Sequence, residues 1–120
     1  MIITLDEFFR GYEASKPYFE AVRVLLDTIG PTEMRVSKSQ VAFWRSKAVA
    51  YLWIPARYLT GDLAPLVLTL GFDQRDESPR WKEIVEPAPG HFTHHLEIWS
   101  MAAIDDQVRD WLKKAWLNAA

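Results

Sequence analysis

The chain contains no cysteine, which removes disulfides, thiolate catalysis and thiolate metal sites together and suits a reducing compartment. It also lacks any block of like charge. Fourteen Lys and Arg stand against sixteen Asp and Glu, a formal net charge of -2, so the electrostatic footprint for duplex nucleic acid or an anionic membrane is missing. No apolar run approaches the length of a membrane span, and Met1–Asp6 does not open a leader of basic and then apolar residues. A cytoplasmic location is the expectation. Repeats and low-complexity tracts are absent too, so nothing suggests a second domain.

What is present is a core-forming composition. With 49% hydrophobic and 13% aromatic residues over 120 positions, the chain can offset the entropy of folding in one domain. Thr4 and Glu7 have the spacing of a capping box, which begins a short helix ending near Gly11. Ser15-Lys16-Pro17 opens a second, with Pro in the first turn where its missing N–H has no helical partner. Tyr18, Phe19, Val22, Leu25, Leu26 and Ile29 form its apolar stripe, and Gly30-Pro31 its stop.

The middle of the chain changes period. Val41–Ser46, Ala48–Ile54, Leu66–Phe72 and Phe92–Trp99 are short, β-branched and aromatic, and they predict strands. Glu33–Val36 fits an edge strand, and Ser78–Gly90, with three prolines, an irregular loop holding a short strand around Lys82–Val85. From Ile104 a helical period returns, with Asp105, Asp106 and Asp110 toward its start and Lys113 and Lys114 toward its end, as the helix dipole favours. Val108, Trp111, Leu112, Ala115 and Trp116 are its predicted buried stripe. The expected fold is α+β: an antiparallel sheet of about five strands with two N-terminal helices and one C-terminal helix packed on it.

Gly30-Pro31, Lys38-Ser39-Gln40-Val41-Ala42-Phe43, Pro89-Gly90-His91-Phe92-Thr93-His94-His95 and Ile104-Asp105-Asp106 leading to Trp111-Leu112 and Ala115 together resemble the bacterial family called domain of unknown function 5655, over nearly the whole chain. The resemblance implies a small free-standing protein or a module attached to other domains, nuclease-like ones included, and it brings no activity with it. Val49-Ala50 departs from the family's Phe-Ala at that strand.

Strand alternation in the last strand puts Phe92, His94, Leu96 and Ile98 on one face and His91, Thr93, His95 and Glu97 on the other. His94 is expected at the core margin, hydrogen-bonded. His91 and His95 lie about 13 Å apart on a strand, too far for one metal ion. His95 and Glu97 are close enough but have no evident third ligand, so no metal and no cofactor is assigned. If Phe43, Leu52, Ile54, Leu68, Leu70 and Leu96 point inward, then Trp44, Tyr51, Trp53 and Trp99 fall on the second face beside Thr69, His95 and Glu97. Such a surface suits a ligand, a covering helix or a homodimer seam.

Lys38, Arg45, Arg57, Arg75 and Arg80 are the basic residues nearest the strands and the Pro-rich loop. Lys38 and Arg80 rank first as an anion-binding edge, because their flanks resemble the family's. Asp105 and Asp106 are explained by a helix N-terminus, and Asp73, Asp76 and Glu77 by a turn.

The candidate ligand-binding residues are therefore Lys38, Trp44, Arg45, Tyr51, Trp53, Arg80, His95 and Glu97. The expected function is a non-enzymatic binding or interaction module, taking a small anionic or aromatic ligand or a partner chain on the aromatic face, with a homodimer as one form of partner. Two alternatives stand beside it: a hydrolase or transferase using His95 with a carboxylate such as Glu97, and a single-strand nucleic-acid adaptor stacking bases on Trp44, Tyr51 or Trp53.

Overall fold

The structure is a computed structural model that describes residues 3–120. Met1 and Ile2, the start of the stretch read for a leader, lie outside the described residues. The capping box forms: Thr4 Oγ1 accepts from the Glu7 N–H at 3.1 Å, and Glu7 Oε1 accepts from the Thr4 N–H at 3.2 Å. It starts α1 (Leu5–Phe9), whose Phe8 and Phe9 are buried. A 3-10 turn at Glu13–Ser15 leads into α2 (Lys16–Asp27), with Phe19, Val22 and Leu26 as the buried part of its stripe.

Gly30 ends α2 without a left-handed backbone, and its bare Cα matters for a close approach. A Cβ at Gly30 would fall inside the van der Waals surface of the Trp116 indole, whose Nε1 donates to the Pro31 carbonyl at 3.1 Å. The bare backbone lets the C-terminal helix dock on the end of α2.

Six strands form one sheet: β1 (Glu33–Val36), β2 (Val41–Trp44), β3 (Ala48–Trp53), β4 (Leu66–Phe72), β5 (Glu83–Ala88) and β6 (His91–Ile98). Their order is β1-β2-β3-β4-β6-β5 and every pairing is antiparallel. The sixth strand is β5, where only a short strand around Lys82–Val85 was expected within an irregular loop. It tolerates Pro87 because it lies at the edge, where a missing N–H breaks no ladder, and its register with β6 shifts between Val85 and Ala88. On β3 the register shifts so that Phe43 faces Ala50 while Trp44 faces Ala48. Val49 is thus the extra residue of a bulge.

The inward set is as the alternation predicts. Phe43, Leu52, Ile54, Leu68, Leu70 and Leu96 are all buried. They share one cluster with Phe8, Phe9, Phe19, Val22 and Leu26 and with Val108, Trp111, Leu112 and Ala115 of α3 (Asp106–Asn118). All three helices bury their stripes in this one core, which leaves the opposite face of the sheet without a helix over it. Among the described residues no helix is long and apolar enough to cross a membrane.

Candidate functional site

The strand register lays out the helix-free face. Successive pairings run Arg35–Ala42–Tyr51–Thr69–His95–Glu83, a single row that crosses all six strands from edge to edge. One two-residue step along the strands, Trp44 pairs with Ala48 and Gly71 with Thr93. One step the other way, Trp53 pairs with Val67 and Val67 with Glu97. The register therefore brings Trp44, Tyr51, Trp53, His95 and Glu97 to one surface.

A hydrogen-bonded chain fixes the centre of that surface. Trp53 Nε1 donates to Thr69 Oγ1 at 3.1 Å, and Thr69 Oγ1 lies 2.7 Å from His95 Nδ1. An indole can only donate, so Thr69 Oγ1 accepts from Trp53; its bond to Nδ1 is given by the hydroxyl when the ring carries its proton on Nε2 and by the ring when the proton is on Nδ1. Burial lowers the His95 pKa, with the Glu83 charge opposing. Tyr58 packs on Trp53 at 6.4 Å between ring centroids. His95 thus makes its hydrogen bond to a hydroxyl, and Glu97 sits two residues along the same face.

Tyr51 stands between two depressions. One, of about 460 Å³, is lined by Tyr51, Thr69, Gly71 and Thr93 and turns over the end of the sheet to Lys47 and Asn118. The other, of about 350 Å³, is lined by Arg35, Gln40, Ala42, Trp44 and Tyr51. Gly71 leaves part of the larger one's lining bare. Val67 and Thr69, the preceding residues of β4 on this face, are buried at 4% and 6% exposure, whereas Gly71 is exposed and a Cβ there would meet nothing within 4 Å. Its volume is in the range of small-molecule sites.

The expected basic edge is not assembled at this surface. Arg80 Nη1 contacts both Asp105 oxygens at 3.1 and 3.0 Å and Gln107 Oε1 at 2.8 Å, while Nη2 donates to the Ala103 carbonyl at 2.9 Å. It anchors the loop before β5 to the start of α3, where Asp105 also caps the helix by accepting from the Val108 N–H. Arg45 donates from Nη1 to the Trp116 carbonyl at 3.1 Å and lies 3.6 Å over the Trp116 ring. It is a clamp on the C-terminal helix, and Trp116 is half-buried beneath it, where a fully buried stripe position was expected. Lys38 is exposed in the β1–β2 turn, where its carbonyl accepts from Arg57 Nη1 at 2.9 Å. Trp99 is exposed just beyond β6.

His94 faces the other way and is 0% exposed. Its Nε2 accepts from the Asp76 N–H at 3.0 Å and its Nδ1 lies 3.1 Å from the Phe92 carbonyl, to which only an Nδ1–H can donate. Burial lowers its pKa, against the opposing pull of the Phe92 carbonyl and the Asp76 charge, so the neutral ring is favoured. Asp76, expected only to make a turn, is the hub here. Its Oδ1 accepts from Trp81 Nε1 and the Ser78 N–H, both at 2.9 Å, and its Oδ2 from Trp111 Nε1 at 3.2 Å. Burial pushes the Asp76 pKa up, but these three donors and the Lys114 charge outweigh it and hold the carboxyl below its ordinary range. Trp81 and Trp111 stack at 4.1 Å between centroids. This node is closed and structural.

The floor and wall residues Gly71, Ala42, Arg35 and Lys47 were not singled out from sequence. The available signal was a glycine inside the apolar strand Leu-Thr-Leu-Gly-Phe, a position that weakens a strand and often marks close approach by a ligand.

No curated protein matches this chain, and no solved structure does. The family model described as Domain of unknown function (DUF5655) matches residues 5–119, and the chain belongs to that family.

Proposed function

We propose that the protein is a non-enzymatic binding module that holds a small aromatic ligand on the helix-free face of its sheet, with the ring over Gly71 and against Tyr51. The observation that carries this reading is the bare glycine near the end of β4. Glycine costs strand stability on the order of 1 kcal/mol relative to a β-branched residue, and here it leaves bare part of the lining of a groove of about 460 Å³, into which a side chain would project. Thr93, Lys47 and Tyr51 are among the residues that line the groove, and they bring polar groups to orient a ligand. His95, engaged by Thr69, serves as a support for the groove floor. The cysteine-free, nearly neutral chain fits a cytoplasmic protein of this kind.

The test is a titration of isotope-labelled protein with indole, followed by amide NMR shifts. Saturable shifts centred on Gly71, Thr93 and Tyr51 are expected, and Gly71→Val should abolish them while leaving stability equal or higher by up to about 1 kcal/mol. Shifts that are absent from these amides, or that survive in the Gly71→Val protein, would overturn the reading.

A further inference from the structure

The smaller depression on the far side of Tyr51 extends this reading and rests on it. We infer that the ligand is elongated, an aromatic ring over Gly71 joined to a carboxylate that passes Tyr51 and reaches Arg35. Both depressions have a small residue for a floor, Ala42 in one and Gly71 in the other, and both share Tyr51 as a wall. Ala42 and Gly71 lie two strands apart and one two-residue step along, because Ala42 pairs with Tyr51, Tyr51 with Thr69, and Gly71 follows Thr69 on the same face. Strand spacing and rise put the two floors about 12 Å apart.

The anionic end follows from the charge in the smaller groove. Arg35 is held over the Trp44 ring, with Cζ 4.3 Å from its centroid, which fixes the guanidinium beside the smaller groove. One of its nitrogens, Nη2, contacts Glu33 at 3.2 Å, and both members of that pair are more than half exposed, at 52% and 67%. Exposed pairs of this kind are worth under about 1 kcal/mol and yield readily to a better partner. The remaining N–H groups form the planar fork that a carboxylate matches. The Gln40 side chain beside it makes no hydrogen bond among the described residues and adds a donor.

The measurement compares two acids by amide NMR and calorimetry: 3-phenylpropionate, which covers only the Gly71 groove, and 8-phenyloctanoate, whose carboxylate reaches about 12 Å from the ring. The long acid is expected to bind at least tenfold more tightly and to shift the amides of Arg35 and Ala42 as well as Gly71. Arg35→Gln should erase that advantage and leave the short acid unchanged. Glu33→Gln, which frees the guanidinium, should enlarge it. If the short acid moves the Gly71 amide but the long acid gains nothing, or keeps its gain in Arg35→Gln, the elongated ligand is wrong and the Gly71 site stands. If neither acid moves the Gly71 amide, both readings fall.

Discussion

His94 and His95 are neighbours on one strand with opposite circumstances. His94 has both ring nitrogens engaged, on a node where a carboxylate collects two indole N–H groups and a backbone N–H. His95 has one nitrogen engaged, in a chain of three side chains on the face that no helix covers. The difference is one of satisfaction: at His94 every polar group is matched inside the chain, and at His95 the matching stops at one ring nitrogen.

The contrast is broken most severely at Asp76. Asp76→Ala strips the acceptor from Trp81, Trp111 and the Ser78 N–H, and it should destabilise by about 2–4 kcal/mol in urea unfolding. Thr69→Val, its counterpart on the open face, leaves Trp53 and His95 half-exposed and within reach of water, and should cost no more than about 1 kcal/mol. Equal losses would mean that the two faces do not differ as described.

Acid sharpens the same comparison. Both histidines have folded pKa values below their ordinary 6.5, because burial disfavours the imidazolium. The unfolded chain therefore binds more protons below that pH, so this part of the stability is complete above about 6.5 and is lost as the pH falls beneath it. His94→Gln should flatten this limb more than His95→Gln, since His94 is the fully buried ring. Asp76 belongs to a second limb. Its folded pKa is below 3.8, so its contribution persists through the first and is lost only as the pH drops under that value. Urea midpoints measured from pH 8 to pH 3 should show two separate falls in the wild type.

Much of the scaffold was legible in local patterns. The capping box, the α2 stripe and the division of β3, β4 and β6 into faces are short-range periodicities, and short-range physics decides them. The basic edge was not legible. A guanidinium in a sequence does not reveal what already holds it: both terminal nitrogens of Arg80 are engaged at the start of α3, and Arg45 is clamped on Trp116 near its end, far along the chain. Asp76 was invisible as a hub for the same reason, because Trp111 and His94 reach it only through the tertiary fold. Strand β5 was understated because Pro87 argues against a strand everywhere except at an edge, and strand order is what makes an edge. Gly71 was in plain view, but its meaning depends on which neighbours leave it uncovered.

The broken edge at β5 bears on how this protein could meet a second copy of itself. With Pro87 lacking a donor and the register shifted beside it, that rim offers no continuous ladder for another strand to extend. Self-association through the open face would occlude Tyr51, Gly71 and Arg35. Protein concentration would then act as a competitive inhibitor of ligand, so that the crowded protein would be the empty one and dilution alone would switch binding on.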